Sequence, residues 1–393
     1  MPYITDRIVH DADAHVFEAP GWLEPWVDET LRHSLREFTR VDEGAQRLVA
    51  KARAGYEDPE FLARNEAEIT LRKGFTALGA FIKEERPAAI DHLGVASQLV
   101  FTTGGLRPLA MGERGEDPDI AYGVATAHNR AMMDFCSVDA RLLPVLYVPI
   151  LDIERAVSAA REAIDMGAAA LMLPSACPRD HSPSHIGFEP LWAMVEAAGI
   201  PVVYHVGGGT ALNPVYKVNG LPPVKDFIGG DDNFTSVSYM AIPEAPMQTL
   251  ATLIFDGVLE RYPRLKFGVI EMGASWLPGW MRSMDSCAVA FTKNETRLQA
   301  LELTPSEYVR RQVRVTPYPH EPAGWIIRNS GPEVCLFSSD YPHVEGGRNP
   351  LKRFEASLDA EQCSEAERDA FYRFNYEDLM GSAMQRLAGR AVR

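Results

Sequence analysis

The stretch Asp11-Ala12-Asp13-Ala14-His15-Val16-Phe17-Glu18, preceded by apolar Ile8 and Val9, decides how the rest of the chain is read. In a strand, side chains two apart share a face, so Asp11, Asp13 and His15 point one way and Ala12 and Ala14 the other. At roughly 3.3 Å per residue, Asp13 and His15 start about 6.6 Å apart and can converge on one ion. Glu18, just past the strand end, can reach the same place from the loop. For a lone Asp-x-His, a polar turn near the N-terminus is the favoured reading. The apolar pair before the motif and the small alanines on the opposite face favour the strand.

Downstream, apolar runs alternate with helix-forming segments. Strands are expected at Gln98–Thr103, Leu142–Val148, Ala168–Leu173, Pro201–His205, Lys266–Glu271, Val313–Thr316 and Cys335–Asp340. Helices are expected at Glu85–Leu93, Ile120–Cys136, Ile153–Met166 with Asp152 as its cap, Glu189–Ala198, Met247–Tyr262, Trp276–Thr292 and Pro322–Asn329. With the opening strand this gives eight strands separated by helices, an α/β alternation that implies a parallel sheet closed into a (β/α)8 TIM barrel. An open doubly wound sheet is the alternative, but no Gly-x-Gly-x-x-Gly follows an early strand. Gly207-Gly208-Gly209 after strand five is only a weak, anion-friendly loop signal. The barrel is read as one domain over residues 1–393, with insertions over about 19–85 and 206–243 and C-terminal helices over about 349–393. The first insertion carries a helix-like run from Pro59 to Arg72.

A formal charge of −15 argues against nucleic acid or an anionic membrane as the main partner. The apolar runs are too short to span a bilayer and the N-terminal segment has no signal-peptide core, so a cytoplasmic location is expected. The five cysteines, Cys136, Cys177, Cys287, Cys335 and Cys363, are scattered, as reduced thiols would be, and most are expected to pack as small core residues.

Barrel chemistry sits at the carboxyl ends of the strands. Asp13, His15 and Glu18 lie there on strand one, His205 on strand five, Glu271 on strand six, His320 after strand seven, and Asp340 with His343 after strand eight. One strand-end histidine is more often a structural hydrogen-bonding group than a ligand. Several converging imidazoles and carboxylates shift that balance, because burying so many ionisable groups without a cation is costly.

Asp13-x-His15, His205 and Ser338-Ser339-Asp340-Tyr341-Pro342-His343 resemble the amidohydrolase superfamily, in its branch of aminocarboxymuconate-semialdehyde and resorcylate decarboxylases. That resemblance implies a divalent metal held by Asp13, His15, His205 and Asp340. Strand one departs from the pattern by carrying Asp13 in place of the first histidine, and strand six ends in Glu271 where the decarboxylases carry a catalytic histidine. Glu271 suits proton transfer only if burial raises its pKa. His343 is a further candidate ligand and, with Glu271 and Asp340, a candidate catalytic residue.

The carboxylate enrichment is also similar to amidohydrolase-fold non-haem diiron monooxygenases of diterpenoid biosynthesis. On that resemblance Asp11, Asp13, Glu18, Glu271 and Asp340 with His15, His205 and His343 hold two irons. The expected activity is then hydroxylation of a bulky apolar substrate, terpenoid carboxylic or thioester-linked, with dioxygen and an electron donor. A mononuclear zinc or manganese hydrolase or non-oxidative decarboxylase is the alternative, and an inactive metal-binding scaffold the third. Trp22, Trp26, Phe75, Phe81, Trp276 and Trp280 are candidates to line an apolar substrate pocket, and Arg179, His181 and His185 to meet an anionic group. A homo-oligomer, paired through the insertions, is expected.

Overall fold

The computed structural model describes residues 1–36, 43–115, 117–207, 212–222, 224 and 235–391. Seven parallel strands run in sequence order through one sheet: β1 (His10–Val16), β2 (Ser97–Thr102), β3 (Leu142–Tyr147), β4 (Ala170–Met172), β5 (Val202–His205), β6 (Phe267–Ile270) and β7 (Val313–Val315). All of their residues are buried, as the strands of a parallel sheet covered on both faces must be. Alternate side chains divide between two packed sets. Leu99, Phe101, Leu143, Val145, Ala170, Val203 and Ile270 fill the barrel, while Val100, Leu142, Leu146, Leu171, Val202, Phe267 and Val269 pack under the helices.

Where an eighth strand was expected, Cys335–Asp340 forms only isolated bridges, Val315 with Cys335 and Ala14 with Tyr341. The segment still closes the cylinder. Leu336 N–H donates to Val315 O at 2.9 Å, Asp340 N–H to Asp13 O at 2.9 Å and His15 N–H to Tyr341 O at 2.7 Å. Regular pairing fails because Phe337 N–H turns away to the carbonyl of Phe371, and Asp340 leaves extended geometry at φ 51°.

Asp152 caps the helix Ile153–Met166 as expected, accepting from Arg155 N–H. The helix expected over Met247–Tyr262 is two, Glu244–Phe255 and Val258–Arg261, broken at Gly257 with φ 74°. The run from Pro59 ends at Ala67, and a helix at Glu43–Tyr56 precedes it within the first insertion. Gly208, Gly209 and much of the second insertion lie outside the described residues. Cys136, Cys335 and Cys363 are buried, Cys177 and Cys287 exposed, and all five are free thiols. No described helix is long and apolar enough to cross a membrane.

Candidate metal centre

The carboxyl ends of β1, β5, β6 and the closing segment meet at one mouth of the barrel. His15 Nε2 stands 3.1 Å from Asp13 Oδ1, 3.5 Å from Asp340 Oδ1 and 3.8 Å from Glu271 Oε2. His205 Nε2 is 3.5 Å from Asp13 Oδ1 and 3.2 Å from Glu271 Oε2. His343 lies against His15 with ring centres 4.4 Å apart, its Nε2 3.0 Å from Thr103 Oγ1 and its Nδ1 3.6 Å from Glu345.

Both inner histidines are fixed from behind. His15 Nδ1–H donates to Thr102 O and His205 Nδ1–H to Val206 O, each at 3.0 Å, which leaves each Nε2 a bare lone pair facing the site. Glu271 is aimed by its backbone: its N–H donates to Thr316 Oγ1 at 2.8 Å and its carbonyl accepts from Tyr318 OH at 2.7 Å. Glu271 and Asp340 hold φ of 54° and 51°, a left-handed geometry costly for side chains with a Cβ.

Asp11, expected among the ligands, is behind the site. Its carboxylate accepts from Ser339 N–H, Ser339 Oγ and Gln98 Nε2 at 2.8, 2.6 and 2.9 Å. Gln98 in turn accepts from the buried Arg86, whose Nη1 donates to His15 O at 3.0 Å. The reason is a register shift in β1, where Asp11 pairs with Gln98 but Ala14 with Val100, so one extra residue breaks the alternation between Asp11 and Asp13. Glu18 is also elsewhere: it accepts from Thr102 Oγ1 and from the N–H groups of Thr103, Gly104 and Gly105, anchoring the loop after β2. His320 is exposed, stacked on Tyr318 and hydrogen-bonded to Tyr239 OH.

Of the aromatic candidates, Phe75 stands near the site, packed edge-on to Phe17, which lies against His343. Trp276 packs on Trp280, and Trp22 on His128. His181 is spent on Ile150 O and His185 on capping Gly187 N–H. The sequence singled out neither Arg86 nor Glu345. Glu345 stands two residues past His343, the one local hint it offered.

Burial pushes His15 down to about 4, with His343 adding to the effect and Asp13 opposing it, so the imidazole is in its neutral, ligating form. Burial would raise Asp13, but the adjoining His15 and His205 imidazoles hold it below the usual carboxylate range. Burial and neighbouring carboxylates push Glu271 and Asp340 well above theirs. A cation held by Asp13 and Asp340 would favour their ionised forms.

The donor set fits such an ion. His15 Nε2, His205 Nε2, Asp13 Oδ1 and both Asp340 carboxylate oxygens are buried without a hydrogen-bond partner. One atom each from Asp13, His15, His205 and Glu271 lie within 4.8 Å of one another, as do atoms of His15, Asp340 and His343. Imidazole nitrogens mixed with carboxylate oxygens suit zinc, manganese or iron.

Solved structures share this fold. The chain is similar to an amidohydrolase from Mycobacterium avium subsp. paratuberculosis K-10, with TM-score 0.70 and 20% identity over 96% of this chain and 100% of that one. It is also similar to 5-carboxyvanillate decarboxylase from Novosphingobium aromaticivorans DSM 12444, solved with manganese and 4-hydroxy-3-methoxy-5-nitrobenzoic acid, with TM-score 0.60 and 20% identity over 95% and 96%. A third similar structure is dihydroxybenzoic acid decarboxylase from Polaromonas sp. JS666, with manganese and 2-nitroresorcinol, at TM-score 0.59 and 16% identity over 95% and 97%. No curated protein matches the chain. The sequence profile of the family described as Amidohydrolase matches residues 11–379, and the chain belongs to that family.

Proposed function

We propose that this chain uses one divalent cation, held by Asp13, His15, His205 and Asp340, to remove carbon dioxide from a small carboxylated substrate without oxidation. The carrying observation is five buried, unpartnered donor atoms from β1, β5 and the closing segment at one mouth, in two ligand sets that share His15: Asp13, His15, His205 and Glu271, and His15, Asp340 and His343. Decarboxylation draws support from the similar folds, two of which are named as decarboxylases of hydroxylated benzoates. The two-iron oxygenase loses two of its expected ligands, since Asp11 and Glu18 are committed to protein donors.

When bound, the cation would anchor a substrate oxygen and withdraw negative charge. The protein's own groups do the rest. Glu271 is the most accessible of the three carboxylates, 12% exposed against 1% for Asp13 and 8% for Asp340, so it faces the incoming substrate. As the bond from carbon to carboxylate breaks, its electron pair stays on carbon and takes a proton from the Glu271 carboxyl, which recovers one from solvent. His343, held by Thr103 and Glu345, borders the same space.

The test is carbon dioxide release under argon from 2,6-dihydroxybenzoate, 5-carboxyvanillate and related acids, beside metal analysis. One ion per chain and release unaffected by removing air are expected. Two irons per chain with dioxygen uptake on adding reductant would establish the oxygenase instead, and cleavage of an ester or amide under the same conditions the hydrolase. Glu271→Gln should keep the ion and lose about 100-fold in rate; loss of the ion would make Glu271 a ligand.

A further inference from the structure

The same mouth carries a cavity of about 210 Å3, none of whose lining residues is a candidate metal ligand. Tyr147 ends β3, Pro174 follows β4, and Gly207 stands two residues beyond His205 of β5, while the helix Leu106–Arg114 supplies the facing wall. The space exceeds the roughly 150 Å3 apolar cavity that takes up benzene, so one substituted ring fits.

Its polar groups are segregated. On the inner wall, Glu113 Oε1 accepts from Ile150 N–H at 3.2 Å, whereas Oε2 is buried and closes no hydrogen bond of proper geometry. The buried Tyr147 hydroxyl stands near enough to act on that carboxyl. Burial lifts the Glu113 carboxyl to about 7, against the Ile150 N–H and the Tyr147 hydroxyl. A carboxylate oxygen with the Tyr147 hydroxyl nearby still has a lone pair to accept from a ligand.

At the rim, Arg179 Nη2 donates to the carbonyls of Arg114 and Gly115 at 2.8 and 3.1 Å, pinning the guanidinium between the loop after β4 and the helix. On a chain of net charge −15, a pinned guanidinium at a cavity edge attracts anions against the surrounding field.

We infer that this cavity holds the part of the substrate remote from the carboxylate that is lost: a ring-sized apolar body presenting a hydroxyl to Glu113 and a second anionic group to Arg179. The inference rests on the decarboxylase reading for the chemistry at the other end of the ligand. Glu113 is thereby a specificity residue.

Cys177 lines the cavity and is exposed, so its reaction with a maleimide reports occupancy without needing turnover. In metal-loaded protein, Cys287→Ser silences the other exposed thiol. The probe is 5-hydroxyisophthalate, compared with isophthalate, which lacks the hydroxyl, and 3-hydroxybenzoate, which lacks the second carboxylate. Half-protection of Cys177 should require about tenfold more of either comparison compound. Glu113→Leu should erase the preference over isophthalate, with Glu113→Gln restoring part of it because the amide oxygen still accepts. Arg179→Leu should erase the preference over 3-hydroxybenzoate. Equal protection by all three compounds, or preferences that survive these replacements in protein of unchanged thermal midpoint and metal content, would overturn the inference. Turnover without protection of Cys177 removes the cavity's role and leaves decarboxylation standing. Protection without carbon dioxide release does the converse.

Discussion

Replacing Gln98 by Leu tests whether the metal centre is held in shape from behind. Gln98 is fully buried on β2, directly opposite Asp11. Its Oε1 accepts from Arg86 Nε at 3.0 Å and its Nε2 donates to Asp11 Oδ2 at 2.9 Å. Arginine only donates and an ionised aspartate only accepts, so an amide is the side chain that satisfies both. Leucine fills a similar volume but leaves two charged groups each one partner short. Arg86 keeps its bonds to His15 O and Gly79 O, and Asp11 keeps its two from Ser339. Two hydrogen bonds to charged groups at roughly 1.5–3 kcal/mol each, less about 1–2 kcal/mol returned by the buried apolar side chain, leave a net loss of about 1–5 kcal/mol. Arg86 holds the carbonyl of His15 and Asp11 holds the residue before Asp340, so the same change loosens two proposed ligands. Divalent-cation affinity should fall about 10–100-fold, the usual effect of removing an outer support. Urea midpoints at constant m give the stability change, and competition with a fluorescent chelator gives the affinity. A loss below about 1 kcal/mol with unchanged affinity would refute the claim that this relay supports the site.

Three further outcomes follow from the geometry. Glu18→Gln should cost about 1–3 kcal/mol of stability, because it removes the charge from a cluster of donors, while metal content stays unchanged; loss of metal would return Glu18 to the ligands. Glu271→Gly should be about 1 kcal/mol more stable than Glu271→Ala in urea, since alanine retains a Cβ at φ 54°, and equal midpoints would show that no strain is stored there. Burial lowers His128 from 6.5 to about 4, so the unfolded chain takes up this proton first. The stability from keeping His128 neutral is therefore complete above pH 6.5 and lost as pH falls to about 4, by about 3 kcal/mol at most. His128→Phe should flatten that part of the stability profile, and an unchanged slope would assign the acid sensitivity to other groups.

The strand order was legible because most strands are short apolar runs, some ended by a polar residue, as in Val202–His205 before the Val206 loop and Phe267–Ile270 before Glu271. His205, Glu271 and Asp340 could be placed at one mouth for the same reason. Asp11 was misplaced because alternation holds only for unbroken pairing, and the extra residue in β1 is set by its partner strand, not by its own sequence. Glu18 shows a second limit. A carboxylate beyond a strand end serves whichever donors come near, and the amides of Thr103, Gly104 and Gly105 belong to a loop more than eighty residues on. Arg86 gave no signal at all, since a buried arginine and a solvated one look alike until a tertiary partner such as Gln98 is known.

The seam between β7 and β1 carries a consequence for how the protein assembles. Ser339 and Asp11 meet there although 328 residues separate them in the chain, and Asp340 comes to rest beside Asp13 only once that seam has zipped. An ion gripped from both edges would rivet the two ends of the polypeptide together, with the largest entropic benefit that a loop of such length allows. Full-strength metal capture would then be the last property to appear during refolding, and the rate at which it appears would time the sealing of the cylinder.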